Sequence, residues 1–163
     1  MDSVKVRKAK REDMQHVMKL IEELATFENM PKHVKINATI LERDGFDVPS
    51  PVFMCYVAES SHLEIVGYAL FYYTYSTWLG KSVFLEDLYV QPTYRRRGIG
   101  KELFLTAAKE AYLNKTRLDF QVLAWNPAKE FYNNLGAVNL TETEHWQSFR
   151  LNMNALTNIF GTK

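Results

Sequence analysis

The sequence predicts one mixed α/β domain spanning residues 1–163. Three observations lead to it. Apolar residues recur at three- and four-residue steps in some segments and alternate or run on in others, so both helix and strand periods are present. No repeat, low-complexity stretch or linker divides the chain. Hydrophobic residues make up 47% and aromatics 13%, a composition able to bury a core and unlike that of a disordered chain.

The elements follow in order. Val4 and Val6 alternate with charges, predicting a half-buried first strand. From about Glu12 to Phe27 the set Met14, Val17, Met18, Ile21, Leu24 and Ala25 marks an amphipathic helix. Asn37 caps a short helix through Leu41 that is expected to stop near Gly45. Val52 to Glu59 and Ile65 to Tyr75 read as strands joined at Ser60–His62. Next come a Phe84–Val90 strand, an Ile99–Leu113 helix, a Leu118–Ala124 strand and a helix from about Pro127 to Leu135. The tail, Val138 to Leu151, is expected to hold two more strands, followed by a short helical piece to Phe160.

Charge and cysteine usage narrow the function. A formal net charge of +1 gives no general case for nucleic acid, which needs a clustered basic face. Cys55, the single cysteine, lies in the apolar run Val52–Val57 and is expected to be a buried small hydrophobe. With no second cysteine there is no intrachain disulfide, which points to a reducing compartment. No apolar signal core or membrane-length run is present, so cytoplasm is the expected location and no membrane partner is expected. His16, His33, His62 and His145 lack ligand spacing, so no metal is expected.

The segment Phe84-Leu-Glu-Asp-Leu-Tyr-Val-Gln-Pro-Thr-Tyr-Arg-Arg-Arg-Gly-Ile-Gly100 runs from an apolar strand through a basic loop into a helix. Glycines at a helix start leave backbone N–H groups unpaired and let a ligand come close, and the positive dipole end favours phosphate. A dinucleotide fingerprint would need a glycine where Leu103 stands. A P-loop would need Ser or Thr where Glu102 stands. The remaining reading of Arg95-x-x-Gly98-x-Gly100 is a loop for a diphosphate-bearing cofactor; a solvated basic turn or nucleic-acid patch is the alternative.

Arg95-x-x-Gly98-x-Gly100 resembles the acetyl-CoA pyrophosphate loop of the GNAT acetyltransferase superfamily. The resemblance extends to Trp125-Asn126, Phe131-Tyr132 and Leu135-Gly-Ala137. Further pieces are Leu20-Ile-x-Glu-Leu-Ala25, Phe27-Glu28, Asp44-Gly-Phe46, Val66-Gly-Tyr68, Tyr72-Tyr-x-Tyr-Ser-Thr-Trp78 and Leu85-Glu-Asp87. Together they resemble the spermidine/spermine and thialysine N-acetyltransferases and cover nearly the whole chain. The resemblance implies a GNAT acyltransferase fold. That is a mostly antiparallel mixed sheet splayed between strands 4 and 5, with helices on both faces. It also implies acetyl-CoA as cosubstrate, a small-molecule amine as acceptor, and a homodimer.

Residue roles carried by the resemblance are these. Leu88, Tyr89 and Val90 line the cofactor, the Val90 N–H polarising the thioester carbonyl. Arg95, Arg96, Arg97, Gly98, Ile99, Gly100 and Lys101 surround the pyrophosphate, with Asn126 and Lys129 near the rest of the cofactor. Tyr132 approaches the sulfur as general acid. Phe27, Glu28, Ser76, Trp78, Glu86, Asp87, Gln121 and Trp146 fall on the substrate side. Amine acetylation needs a base, because an alkylammonium is only about one part in a thousand neutral near pH 7, a deficit of about 4 kcal/mol. Glu86 matches the family base. Adjacent strand residues face opposite sides unless a bulge intervenes, so Asp87 is read as a structural hydrogen-bond or ion-pair partner.

Three departures bear on the substrate. Polyamine-specific members resembling this chain carry an acid where Ser76 or Thr77 stands, before Trp78, and Ala124 replaces a further family acid. Both changes disfavour polyamines and resemble the thialysine-preferring branch. The Asn126–Tyr132 spacing is one residue short of the family's, equal to 100° of helix rotation. Either the preceding loop absorbs it or Tyr132 does not reach the sulfur. Protein acetylation and non-catalytic CoA binding are the rival functions.

Overall fold

Five strands form one sheet in the order β1-β2-β3-β4-β5: Val4–Lys8, Met54–Ser60, Ile65–Ser76, Gly80–Val90 and Leu118–Phe120. The first three junctions are antiparallel, whereas β4 and β5 run parallel. This computed structural model describes residues 3–161. It divides into two compact units, Met1–Leu123, which holds the sheet, and Ala124–Lys163.

Helix α1 (Met14–Phe27) buries Met14, Val17, Met18 and Leu20, the three- and four-residue stripe of the sequence. It shares a core with Ala38 and Leu41 of α2 (Ala38–Phe46) and with Val57, Tyr68, Leu70 and Tyr89 of the sheet. The Asn37 side chain accepts the Ile40 N–H at 3.0 Å, capping α2 as its sequence predicts. The helix ends at Phe46, one residue past Gly45, near where the sequence places its stop. A Cβ on Gly45 would come within 2.6 Å of the Phe53 ring, so close packing is what requires glycine. Helix α3 (Ile99–Leu113) covers the opposite face. Leu103 lies against Gly67, and Phe104 meets Phe120 edge-on at 5.7 Å. Helices therefore flank both faces.

Arg7 ties β1 to its neighbours, donating to both oxygens of Asp13 at 2.7 and 3.0 Å and to Glu59 on β2. Burial alone would raise the Asp13 carboxyl, but this guanidinium holds it below the usual range. The first strand is thus anchored by charge as well as by its ladder.

The strands differ from their sequence outlines at the ends. β4 begins at Gly80, closing a hairpin with β3 in which Ser76 opposes Gly80. β2 begins at Met54, leaving Val52 exposed. β5 ends at Phe120, because its pairing partner on β4 is left after three residues.

The second unit contains α4 (Ala128–Asn134), α5 (Leu140–Thr143) and α6 (Met153–Phe160). The two strands expected between Val138 and Leu151 are absent among the described residues. Asn139 accepts the Thr141 N–H at 3.2 Å and starts a helical turn, and Thr141-Glu-Thr-Glu has no apolar alternation to sustain a strand. No helix among the described residues is long and apolar enough to cross a membrane.

Candidate active site

The parallel ladder joins Val83, Phe84 and Leu85 to Leu118, Asp119 and Phe120 and then ends. From Glu86 to Val90 the β5-facing edge of β4 therefore has no strand partner among the described residues. The Gln91 N–H donates to Val66 O at 2.9 Å, across the β3 side. Antiparallel alternation then turns the peptide groups of Leu88 and Val90 toward the open edge, whereas Tyr89 bonds inward. An extended polar ligand can add there as a strand does.

That edge leads into the basic loop. Pro92–Tyr94 forms a 3-10 turn, and Gly98 caps α3 at φ 81°, ψ −8°. Arg96 is also left-handed, at φ 62°. Left-handed residues alternating with ordinary ones turn successive N–H groups into one concavity, here continuous with the unpaired first N–H groups of α3. A Cβ on Gly98 would meet nothing within 4 Å, and one on Gly100 only Val90 Cγ2 at 3.8 Å, so the space before the helix is open. Ile99 is buried and anchors the turn, while Lys101 is exposed beside it.

The three arginines have separate positions. Arg95 Nε donates to Val90 O at 2.7 Å, with its guanidinium 5.4 Å from the ring centres of both Phe27 and Tyr89. Arg97 folds back onto Thr93 O at 3.0 Å and the Tyr94 ring. Arg96 makes no side-chain hydrogen bond or ion pair among the described residues. Arg95 thus caps the Val90 carbonyl, and the Val90 N–H is left, with that of Leu88, as a donor on the edge.

A β-bulge decides the carboxylate question. Leu70 pairs with Asp87 and Phe71 with Leu85, so Glu86 is the extra residue. The bulge cancels the alternation and brings both acids to the α1 face of the sheet. Tyr72 OH donates to Glu86 at 3.1 Å and Tyr68 OH to Asp87 at 2.8 Å. The expectation that the two acids face opposite sides is thereby corrected. Asp87 does have the structural hydrogen bond expected of it.

The two acids differ electrostatically. Burial pushes Asp87 up to about 6; the Tyr68 hydrogen bond opposes this, and the charges of Glu86 and Glu28 add to it. Burial also raises Glu28, at the C-cap of α1. Glu86 remains exposed. Glu28, Glu86 and Asp87 form one acidic group able to attract an alkylammonium, with Phe27 on its rim. Tyr68 and Tyr72 went unrecognised in the sequence. Their signal was two phenols four residues apart, on one face of an otherwise apolar strand.

Beside this group an open hollow of about 610 Å³ lies between α1 and the end of β4, lined in part by Lys19, Glu22, Glu23, Phe27, Tyr89 and Arg95. Tyr89 OH and Gln91 Nε2 both donate to Glu23 at 3.0 Å.

Two expected substrate residues, Ser76 and Trp78, lie away from this acidic group. Ser76 Oγ accepts the N–H groups of Trp78 and Leu79, both at 3.2 Å, at the hairpin tip. Six residues of strand, about 20 Å, separate that tip from Glu86. Gln121 follows β5 and is exposed. Within the second unit, Asn126 Oδ1 accepts the Ala128 N–H at 2.9 Å and so starts α4, which carries Lys129 on its exposed side. Burial pushes the Tyr132 phenol up to about 12, which keeps it a proton donor. Trp146 Nε1 donates to Glu144 at 2.8 Å on an exposed stretch. Cys55 is buried, and burial pushes its thiol far up, which makes a nucleophilic thiolate inaccessible.

Comparison with known proteins agrees with this geometry. The acetyltransferase (GNAT) domain profile matches residues 51–136. The thialysine N-epsilon-acetyltransferase of Mus musculus is 43% identical over 171 residues, 99% of each chain. The spermidine/spermine N(1)-acetyltransferase-like protein 1 of Homo sapiens is 35% identical over 98% of this chain and 24% of its own length. Among solved structures, an integron cassette protein from the mobile metagenome of V. cholerae superposes with a TM-score of 0.76 at 21% identity, over 98% of this chain and 99% of that one. An open β4 edge, a glycine-capped α3 and full-length likeness to characterised enzymes lead to one conclusion: the chain belongs to the GNAT acetyltransferase family and is an N-acetyltransferase.

Proposed function

We propose that the protein transfers acetyl from acetyl-CoA to a primary amine of a small molecule, by direct transfer in a ternary complex. Thialysine-like amino acids or diamines are the preferred acceptors over polyamines. The observation that carries the reading is the opening of the sheet beyond Leu85, with an anion-binding helix start at one end and the Glu28–Glu86–Asp87 group at the other. The loop Arg96–Lys101 suits a pyrophosphate because Gly98 and Gly100 leave room for it before the α3 N–H groups, while the Arg95 side chain turns to Phe27 and Tyr89.

In the proposed mechanism the acidic group draws in the alkylammonium, and Glu86, through water, removes its proton. The neutral nitrogen attacks the thioester carbon while the Val90 N–H stabilises the developing oxyanion. The C–S bond breaks, the thiolate takes the Tyr132 proton, and the proton that the nitrogen sheds on becoming an amide passes to water, from which the Tyr132 phenol is restored. This treats residues 1–163 as one catalytic domain, with Asn126 and Lys129 toward the cofactor and Gln121 and Trp146 toward the acceptor. The reading includes a cytoplasmic location, which suits a sequence whose single cysteine leaves no intrachain disulfide to form.

It also includes a homodimer. Ser76 and Trp78 stand about 20 Å from Glu86 along one chain, so these residues share a substrate only if a second copy supplies the hairpin tip. A monomeric mass in solution at micromolar protein overturns the pairing.

Steady-state assays with acetyl-CoA against thialysine, diamines, spermidine, spermine and histone-type peptides test the reading. Thialysine or a diamine gives the highest kcat/KM. Peptide preference favours a protein acetyltransferase, and no turnover favours a CoA-binding module. A full carboxylate–ammonium pair is worth up to about 4 kcal/mol near a protein surface before desolvation. Ser76→Asp therefore raises spermine kcat/KM about tenfold relative to thialysine, while an Asp still accepts the turn N–H groups. An unchanged ratio separates Ser76 from substrate choice.

A further inference from the structure

We propose that the hollow between α1 and β4 receives the zwitterionic head of an amino-acid acceptor, whose distal amine reaches the Glu28–Glu86–Asp87 group. The inference rests on the acetyltransferase reading and specifies the acceptor for it.

Its charges match such a head in kind, with both signs present. Lys19 and Arg95 offer cations to an α-carboxylate, and Glu22 and Glu23 offer carboxylates to an α-ammonium. None of Lys19, Glu22, Glu23 and Arg95 is spent in an ion pair among the described residues. Glu23 is held in place by two neutral donors, Tyr89 OH and Gln91 Nε2, which fix its position without cancelling its charge. The Arg95 guanidinium is fixed by Val90 O and by the rings of Phe27 and Tyr89. Those rings supply the apolar wall along which a thioether or methylene chain lies.

The spacing matches as well. Asp87 and Tyr89 point to the same face beyond the bulge, two residues or about 6.6 Å apart along the strand. From the side-chain nitrogen to the α-carbon, thialysine has five bonds, about 6 Å when extended. On the α1 side the two regions are adjacent in sequence, since Phe27 lines the hollow and Glu28 belongs to the acidic group. A polyamine carries no carboxylate for Lys19 and Arg95 and places a further ammonium near them, so the hollow also discriminates against polyamines. It does this without Ser76.

The test compares thialysine with bis(2-aminoethyl) sulfide, the same chain without the carboxylate, on the full-length protein. The wild-type kcat/KM favours thialysine by about tenfold or more. Lys19→Glu lowers that preference about tenfold, the effect of reversing one solvent-screened charge, and added salt shrinks the difference. Glu22→Lys lowers kcat/KM for both compounds, since both present an ammonium at that end. Equal wild-type rates for the two compounds, or an unaltered preference in Lys19→Glu, overturn the head-group site while the acetyltransferase reading stands. Failure of the wild-type protein to acetylate either compound, or propylamine, overturns both.

Discussion

Asp87→Asn makes the protein more stable at pH 8 and at least tenfold less active. Burial raises the native carboxyl to about 6 from an ordinary 3.8. The folded state therefore holds this proton more tightly than the unfolded chain does. Stability attributable to the group is complete below about pH 4 and is lost as pH rises through 6. The two-unit difference is worth about 3 kcal/mol. An asparagine still accepts the Tyr68 hydroxyl but needs no ionisation, so it recovers that amount at pH 8 and little at pH 4. Without the carboxylate the ammonium loses part of its attraction, and kcat/KM for the amine falls at least tenfold. Denaturant unfolding at both pH values, beside steady-state rates, reads the two effects. A variant less stable than wild type at pH 8 contradicts the assigned burial penalty.

Gly98→Val raises the KM for acetyl-CoA at least tenfold. Gly98 sits at φ 81° with open space around it, so a side chain there projects into the gap before α3. A β-branched residue at positive φ is strained by roughly 1–2 kcal/mol, which lowers stability irrespective of any ligand. Gly80 separates the two effects. It too has positive φ, at 82°, with nothing within 4 Å, but it lies at the hairpin. Gly80→Val shows a similar stability loss with an ordinary KM for acetyl-CoA. Equal KM values in the two variants remove the phosphate-loop assignment.

Local signals were legible where they decided the structure. The α1 stripe from Met14 to Ala25, the Asn37 cap and the Gly98 entry to α3 are set by neighbours within a few residues, and each matches the sequence expectation. Features set across the sheet were not legible. The bulge at Glu86 depends on how Leu70 and Phe71 pair, so alternation along β4 alone sent Asp87 to the wrong face. The helix end near Gly45 was legible, but not the packing that requires glycine there, because the Phe53 ring arrives from another segment. The end of β5 at Phe120 depends on where β4 leaves it. The tail between Val138 and Leu151 contains apolar residues without strand periodicity, and its turn follows Asn139 capping instead. The glycine-bearing loop proposed for the cofactor lies in one continuous segment, so its geometry was legible. The acidic group needed the fold to bring Glu28 together with Glu86 and Asp87, and to supply the phenols of Tyr68 and Tyr72.

The early end of the β4–β5 ladder also bears on how the ligand-free chain avoids misassembly. Unpaired strand backbone is a template for any extended peptide, including another copy of the same segment. Here the stretch of β4 without a strand partner on that edge is only Glu86 to Val90 among the described residues. It begins at a bulge bearing a charge and ends where Arg95 covers the last carbonyl. Bulges, inserted charges and capped groups are the devices that keep sheet edges from aggregating. Thus the distortion that gathers the reactive acids also protects the edge, leaving few unsatisfied groups. If the cosubstrate adds along that edge as proposed, it completes the protection and favours the native population by mass action.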